Sequence, residues 1–370
     1  MEVASMPSAL VGGALLGLCA GAKALLVGRV LGCAGALKAT ARLRPSREIV
    51  FAVGLIAGAL LAGTMTPGVA RAYTGLPLKT LFGCGLLVGV GTSAGEGCTS
   101  NHGIVGLSRL SRSSVVAVGV FFGTSVLAAS LGGTRALVTQ PPDLEGFPLS
   151  YLAGIIGVVL AVLGVITALR KAVPQFFPLA LAHALVEFVT GTGFSMGLVG
   201  SGMSRPSVVL RFLDFSAEDW SPALFFVLIG AVCTNSVVYY TMAWRRDEPL
   251  LGGSVEMPSC RRRETPSLIF GSMIFGLGWG ISGMCPGPAA TQLASADPVP
   301  GLIFFSGLMG AYALFGLLEA YKAELNVLLR ERPLFGRTDQ PYAKDLVEQM
   351  SSAPRSENPQ RWAASVTPLS

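Results

Sequence analysis

Two apolar stretches of this chain are each interrupted near the middle by a run rich in glycine, proline and cysteine. The first run, Gly97–Gly103, contains Cys98, and the second, Gly283–Pro288, contains Cys285. An unpaired backbone amide costs several kcal/mol in hydrocarbon. A break of this kind therefore survives at membrane depth only where protein surrounds it or a polar cavity adjoins it. Matched breaks in two halves of a membrane protein are typical of a transport site.

Composition indicates that these breaks lie within a membrane. Hydrophobic residues make up 51% of the 370 positions and charged residues 13%, and the mean hydropathy is +0.61. So little charge cannot cover a soluble surface. The sequence therefore predicts an all-α membrane protein with about nine hydrophobic segments. The segments cover residues 9–37, 49–66, 80–110, 113–131, 151–169, 176–203, 221–243, 267–298 and 301–320.

Basic residues are concentrated in every second connection between these segments. By the positive-inside rule those connections face the cytoplasm, provided that each interrupted segment crosses once. We therefore expect a multi-pass protein of the plasma membrane or bacterial inner membrane, with a cytoplasmic C-terminus. The net charge of +6 reports topology and not nucleic-acid binding. The basic residues are Lys38, Arg42, Arg44, Arg47, Arg109, Arg112, Arg170, Lys171, Arg245, Arg246, Arg261, Arg262 and Arg263.

The interrupted segments resemble one another. Gly85–Gly91, before the first cysteine run, echoes Gly271–Gly278 before the second. Gly191–Pro206 carries a third copy, and Gly28–Gly35, which contains Cys33, is a degenerate fourth. Glycine-rich helices that are alike only in composition are the alternative explanation.

Segment order favours a repeat. Four segments precede the span at 151–169 and four follow it, so the two halves would have opposite orientations. We expect two inverted repeats, residues 1–150 and 176–320, joined by a connecting span at 151–175. Broken or re-entrant helices of both repeats would meet at the midplane. Residues 321–370 are polar and predict a cytoplasmic, largely disordered tail.

These motifs resemble the YeeE/YedE sulfur-transport family of bacterial membrane proteins over about residues 10–320. Asn101 stands where that family usually has glycine, and Met203 with Ser204 offers no thiol in the third copy. The resemblance implies a permease for thiosulfate or a related sulfur-containing ion, with a central pathway punctuated by cysteines. It is carried by Gly97–Gly103, Gly106–Ser111, Gly278–Gly280 and Cys285–Pro288, supported by Gly202–Pro206 and Val209–Asp214.

The chemistry of such an anion fits this reading. Short helices direct free N–H groups and a positive dipole end toward a midplane site. Neutral S–H groups bind a large, soft sulfur atom weakly and so permit its release. We expect the thiols to work protonated, because a thiolate would repel the anion. The candidate pathway residues are Cys98, Cys285, Cys33, Thr99, Ser100, His102, Glu96 and Ser204.

Other polar residues within the apolar segments have open roles. Glu187 lies four residues after His183 on one helical face, which fits proton coupling or a structural clamp. Glu96 is a second candidate for coupling. His102 fits either a cap of the second half-helix or a donor to the substrate. Lys23 and Arg29 are candidates for attracting an anion, and the alternative for Arg29 is that it extends to the cytoplasmic interface. Among the remaining cysteines, Cys19, Cys84 and Cys233 are expected to pack in the core and Cys260 to lie in a loop.

Three alternatives to thiosulfate transport are compatible with the sequence. One is a membrane sulfurtransferase with a persulfide-forming cysteine, for which the nearby base would be His102. Another is a scaffold that recruits a cytoplasmic sulfur-accepting protein, and the third is a permease for a selenium species. We expect no catalytic function. No cofactor or metal is expected either, because the cysteines show no paired or ligand-type spacing.

Overall fold

The computed structural model describes residues 6–42, 46–65, 75–132, 147–243, 248–260, 263–295 and 297–331. Arg44, Arg245, Arg246, Arg261, Arg262 and the predicted tail beyond residue 331 lie outside these described residues. Residues up to Glu319 form one compact unit, and the chain from Ala320 onward forms another, of which the described part is the end of a helix.

The described residues fold into helices and include no named strand. The elements are α1 (Met6–Val27), α2 (Cys33–Ala41), α3 (Arg47–Met65), α4 (Leu78–Ala94), a π-helix (Thr99–Gly106), α5 (Arg112–Gly132), α6 (Leu149–Ala172), α7 (Leu179–Gly200), α8 (Pro206–Leu213), α9 (Ala223–Val238) with a π-helical turn (Tyr239–Ala243), α10 (Pro266–Ser282), α11 (Pro286–Gln292) and α12 (Val299–Glu331). Eight helical spans among the described residues are long and apolar enough to cross a membrane, and α4 with the π-helix, bent by 46°, makes a ninth. The protein is an all-α, multi-pass membrane protein, as predicted.

Long and short helices alternate in a fixed order. A long helix, a short helix and a second long helix occur four times, as α1–α2–α3, α4–π–α5, α7–α8–α9 and α10–α11–α12, and α6 stands between the second and third unit. The interrupted segments at 80–110 and 267–298 are thus divided at the predicted cysteine runs. The sequence did not predict α8 as a helix, and α2 was expected only as part of the first apolar segment.

Packing glycines reveal how the units are paired. Gly13 and Gly17 of α1 lie against the backbone of Val227 and Ala231 of α9, so these two helices run parallel. The same spacing brings Gly54 and Gly58 of α3 against α7, Gly85 and Gly89 of α4 against α12, and Gly276 and Gly280 of α10 against α5. Small residues allow this close backbone approach in lipid, where apolar side chains gain little by leaving their surroundings.

The first helices of paired units run in opposite directions. In α1 and α7, Leu16 contacts Gly197, and Lys23 contacts Glu187. Helix α1 is therefore antiparallel to α7 although it is parallel to α9, which is the packing expected of inverted repeats. Helices α4 and α10 repeat this arrangement: Gly278 lies against Cys84, and Gly271 lies against Gly95, the residue directly after α4.

One end of the bundle carries the basic connections, and we call it the basic face. Here Arg29 after α1 contacts Glu48 at the start of α3, and Arg47 contacts His183 near the start of α7. At the same end, Arg112 at the start of α5 contacts Glu264 just before α10. The described basic residues that the sequence placed in alternate connections therefore share one face.

Candidate functional site

Each of the four short helices begins inside the bundle from an extended residue. Cys98 precedes the π-helix with φ −126°, and Cys285 precedes α11 with φ −127°. Cys33 is the first residue of α2, and Arg205 precedes α8. The first N–H groups of a helix have no partner within that helix, and they carry its positive dipole end. Three of the four starts thus combine a thiol with this positive potential.

The four helix starts lie against one another. The N–H of Cys33 donates to Ser100 Oγ at 3.2 Å, which joins α2 to the π-helix. Thr99 Oγ1 lies 3.5 Å from Cys285 Sγ, which joins the π-helix to α11. Gly283, just before α11, contacts Pro206 at the start of α8.

Gly283 shows why this junction requires glycine. It ends α10 in a left-handed conformation, with φ +69°, and a Cβ atom there would lie 2.5 Å from the carbonyl oxygen of Pro206. A larger residue would suffer both backbone strain and a clash. Its absence of a side chain therefore lets α10 turn into the segment that carries Cys285.

Hydroxyl groups of the π-helix connect the three cysteines. Ser100 Oγ lies 3.0 Å from Cys98 Sγ and also accepts the Cys33 N–H. The Thr99 hydroxyl contacts the Cys285 thiol. The three thiols are 1–3% exposed, so they are removed from bulk water but are provided with polar neighbours.

A cavity of about 210 Å³ opens beside these groups, and we call it the thiol cavity. Cys33, Cys285, Thr99 and Ser100 line one end of it, whereas Cys98 reaches it through Ser100. A water molecule needs roughly 15 Å³ of such space, so a small polyatomic ion fits. The remaining walls are apolar and include Leu16, Phe121, Phe122, Phe194, Met203, Phe212, Phe225 and Trp279.

Aromatic rings crowd the part of the cavity away from the basic face. Phe212 lies in the last turn of α8, and its ring contacts that of Phe225 at the start of α9, with 4.7 Å between centroids. Phe122 of α5 packs against both rings. Hydrophobic constrictions of this kind can control passage by excluding water.

The π-helix separates this cavity from a second one. Thr99, Ser100, Gly103 and Ile104 face the thiol cavity. Asn101, His102, Val105 and Gly106 face a smaller cavity of about 60 Å³ on the side of the basic face. We call this second space the basic pocket, because Arg109 and Arg263 also line it.

Of the other predicted pathway residues, His102 and Glu96 line the basic pocket, and Ser204 is not among the lining residues of either cavity. His102 bonds to Ser114 Oγ through Nδ1 and to the Gly95 carbonyl through Nε2, both at 3.0 Å. Glu96 is exposed, with φ +58°, and lines the same pocket. Ser204 is buried, and its carbonyl accepts a hydrogen bond from Gln292 at 2.6 Å.

The two basic residues that were predicted to attract an anion are paired with carboxylates. Lys23 pairs with Glu187 at 2.7 Å, and both side chains are buried. Arg29 pairs with Glu48 and Glu256. Partial burial acts to lower the pKa of Arg29, but the hydrogen bond to Glu256 and the nearby carboxylates raise the pKa above its ordinary value.

His183 and Glu187 do not pair with each other. His183 contacts Arg47 through Nδ1 and the Gly252 carbonyl through Nε2. The spacing of four residues indicated correctly that both side chains lie on one face of α7. It did not reveal that α1 supplies the partner of Glu187.

The other cysteines differ in their surroundings. Cys19 and Cys84 are buried in helix packing as expected, but Cys233 is exposed on α9 and was wrongly expected in the core. Helix α9 turns this side outward, and an apolar thiol is compatible with lipid. Cys260 is partly buried in the connection before α10.

Some lining residues were missed by the sequence reasoning. Met203, beside the expected Ser204, lines the thiol cavity, and Arg109 lines the basic pocket. The motif Gly106–Ser111 was a signal for Arg109. Met203 could have been identified from the sequence only by its position next to the third glycine-rich break.

Residues 182–327 match a family of unknown function, DUF6691. A protein of Xylella fastidiosa strain 9a5c described as a probable transporter is 38% identical over 125 residues, which are 33% of this chain and 82% of that protein. A second probable transporter, from strain Temecula1, is 38% identical over 128 residues, or 34% of this chain and 93% of that protein. No solved structure matches the chain. Because the similarity extends over most of the length of both relatives, this chain belongs to the family of these Xylella proteins.

Proposed function

We propose that this protein is a membrane transporter that carries thiosulfate, or a related sulfur-containing anion, through the thiol cavity toward the basic face. The observation that supports this most strongly is the junction of three buried thiols at the starts of three short helices. The names of the Xylella relatives agree with transport. The sulfur substrate rests on this junction and on the resemblance to the YeeE/YedE family.

The two ends of such an anion require different partners. Oxygen atoms carrying the charge are stabilised by O–H donors, which Ser100 and Thr99 provide, and by the positive dipole ends of α2 and the π-helix. The terminal sulfur is large and weakly hydrated, so neutral thiols and the apolar wall beside them suit it. The described residues that line the thiol cavity include no lysine or arginine. Binding of the anion therefore stays weak enough for its release.

Orientation follows from charge. The basic face carries the described arginine and lysine residues of alternate connections, so the positive-inside rule makes it the cytoplasmic face. Uptake then runs from the aromatic end of the thiol cavity, past the thiols, to the basic pocket.

The arrangement gives less support to a persulfide-forming enzyme. An attacking cysteine needs a base within hydrogen-bond reach. His102 lies on the opposite side of the π-helix from the thiol cavity, and both of its ring nitrogens contact other groups.

The test is uptake of labelled thiosulfate, with thiosulfate-dependent growth, in a host that lacks its own thiosulfate transport. We expect the parent chain to restore both, and Cys98→Ser and Cys285→Ser to abolish most of the uptake. Cys84→Ser is the matched control, because Cys84 is equally buried but lies outside the thiol cavity. Uptake that is equal in all three variants would exclude the thiols from transport.

A further inference from the structure

The segment Gly106–Ser111 carries part of the family resemblance, but the thiol cavity does not use it. In the structure it forms one wall of the basic pocket, together with the start of α5 and the connection that precedes α10. The pocket lies directly behind the π-helix as seen from the thiols.

Arg109 is the central residue of this pocket. It is 8% exposed, and its Nη2 donates to the Pro258 carbonyl at 2.7 Å while its guanidinium lies over the ring of Tyr239. Its buried Nε makes no hydrogen bond with any part of the chain that the structure describes. A buried charged donor without an acceptor is costly, so the pocket contains an N–H group suited to an anionic ligand.

The start of α5 supplies further donors. Ser111, Ser113 and Ser114 line the pocket and are 6–8% exposed. Helix α5 has 21 residues, and the positive end of its dipole is directed at this space. The Arg112 and Ser114 N–H groups already donate to the Cys260 and Ser111 carbonyls, and the hydroxyls of Ser111 and Ser113 lie 3.2 Å apart. The contribution of α5 to an oxyanion is therefore its helix dipole, together with hydroxyl groups that exchange a protein partner for the ligand.

The charge balance of the lining is positive. Arg109 and the exposed Arg263 face a single carboxylate, that of Glu96, among the lining residues. The ring nitrogens of His102 are engaged by Ser114 and Gly95, so His102 holds the wall in place. A space of about 60 Å³ accommodates roughly four waters, which suits a small inorganic ion better than a metabolite.

We propose that the basic pocket is a second anion site, which binds a small tetrahedral oxyanion such as thiosulfate or sulfate between the thiols and the basic face. Its place on the transport route rests on the proposed function, but its ability to bind an oxyanion does not. The ligand is recognised here by its oxygen atoms and charge, so sulfate and thiosulfate bind with similar affinity. Discrimination by soft sulfur belongs to the thiol cavity.

Equilibrium binding of labelled sulfate and labelled thiosulfate to the purified full-length chain tests this proposal. We expect Arg263→Gln and Arg109→Lys each to weaken the binding of both anions by at least tenfold. Lysine keeps the charge of Arg109 but lacks the Nε donor. Arg112→Gln is the control, because it removes the same charge from a neighbouring residue that is 78% exposed and pairs with Glu264 outside the pocket.

Glu96→Gln adds a change of opposite sign. Removal of the one lining carboxylate is expected to strengthen the binding of both anions, whereas Arg112→Gln is expected to alter it by less than twofold. Arg263 and Glu96 are exposed, so these two variants stay informative if Arg109→Lys does not fold.

Two outcomes would overturn the second site: no sulfate binding by the parent, or equal affinities in Arg263→Gln and Arg112→Gln. The proposed function fails on a different measurement, namely thiosulfate uptake by the parent in cells. A parent that binds sulfate but takes up no thiosulfate would retain the site and lose the transport proposal.

Discussion

The ammonium nitrogen of Lys23 lies 2.7 Å from a carboxylate oxygen of Glu187, and the two side chains are 3% and 0% exposed. Lys23 also lies over the ring of Phe51, 4.7 Å from its centroid. The pair links α1 to α7, the first helices of two inverted units. Gly95, the residue directly after α4, occupies the equivalent place. It follows Gly85 by ten residues, as Lys23 follows Gly13, and it packs against Gly271 of α10. One crossing is therefore held by charge and the other by close backbone contact.

Removal of one partner of this pair is expected to destabilise the protein strongly. Lys23→Met leaves the Glu187 carboxylate buried without its cation, and Glu187→Leu leaves the ammonium; such losses cost about 3–5 kcal/mol. The double variant should recover most of the stability, because it buries no charge. Retention of monodisperse protein after heating measures this. If the recovered double variant also transports, the pair is a clamp; loss of transport in a stable double variant would make it part of ion coupling.

Ser100 is expected to matter for transport more than for folding. Its hydroxyl serves both the Cys33 N–H and the Cys98 thiol, and each hydrogen bond contributes about 1 kcal/mol. Ser100 also lines the thiol cavity, where a hydrogen bond to a charged ligand contributes about 1.5 kcal/mol. Ser100→Ala should therefore reduce thiosulfate uptake by about tenfold at subsaturating substrate, since 1.4 kcal/mol corresponds to a factor of ten.

Ser125→Ala is the control for Ser100→Ala. Ser125 of α5 is also buried, and among the described residues its hydroxyl donates to the Phe121 carbonyl of its own helix. Equal uptake by the two variants would contradict a special role for Ser100.

The positions of the breaks were predictable from sequence, but the partners across helices were not. Glycine, proline and cysteine within apolar segments placed Cys98 and Cys285 at helix starts, because few other structures tolerate such residues in lipid. By contrast, the spacing of His183 and Glu187 shows a shared face and nothing about the helix opposite. Lys23 and Arg47 approach that face only through the packing of the inverted units. Likewise, the amphipathic α8 is too short for its periodicity to be recognised.

Glycines at the helix crossings should be far less replaceable than glycines elsewhere in the same helices. Gly17 lies against the backbone of Ala231, where a Cβ atom would approach its carbonyl oxygen to 2.2 Å. Gly17→Val is therefore expected to cost about 3 kcal/mol or more through forced separation of α1 and α9. The yield of monodisperse protein from detergent extracts measures the loss.

Gly119→Ala provides the matched comparison for Gly17→Val. Nothing lies within 4 Å of a Cβ atom at Gly119 in α5, so alanine there should be neutral or gain roughly 0.5–1 kcal/mol from helix propensity. A yield of Gly119→Ala as low as that of Gly17→Val would mean that glycine is required even where nothing lies close. Close backbone approach would then not explain the loss in Gly17→Val.

The pH dependence of uptake tests the protonation state of the thiols. A thiolate at Cys98 or Cys285 would repel an incoming anion. Uptake should therefore not increase as the pH rises from about 6 toward about 8.5, which is the ordinary pKa of a cysteine thiol. Initial rates of labelled thiosulfate uptake at constant membrane potential give this profile. An increase that disappears in Cys98→Ser or Cys285→Ser would mean that the ionised thiol is the working form.

The two halves of the chain are expected to assemble when they are produced as separate polypeptides. The main helix contacts cross from one half to the other, as in α1 with α9, α3 with α7, and α10 with both α4 and α5. The Xylella relatives point the same way: 125 matched residues are 82% of one of them, so that protein is about 150 residues long, less than half of this chain. A protein of that size has about the length of one half of this chain.

A cut between α5 and α6 is the suitable division, because it leaves two complete units in each piece. With an affinity tag on the first piece, we expect the second to co-purify from membranes and thiosulfate uptake to return when both are present. Each piece alone should accumulate poorly, since it would expose to lipid the glycine-lined faces and the Lys23 or Glu187 charge that the other piece covers. Stable, separately purified pieces that do not bind each other would contradict this, and the inverted units would then be independent domains joined only by the chain.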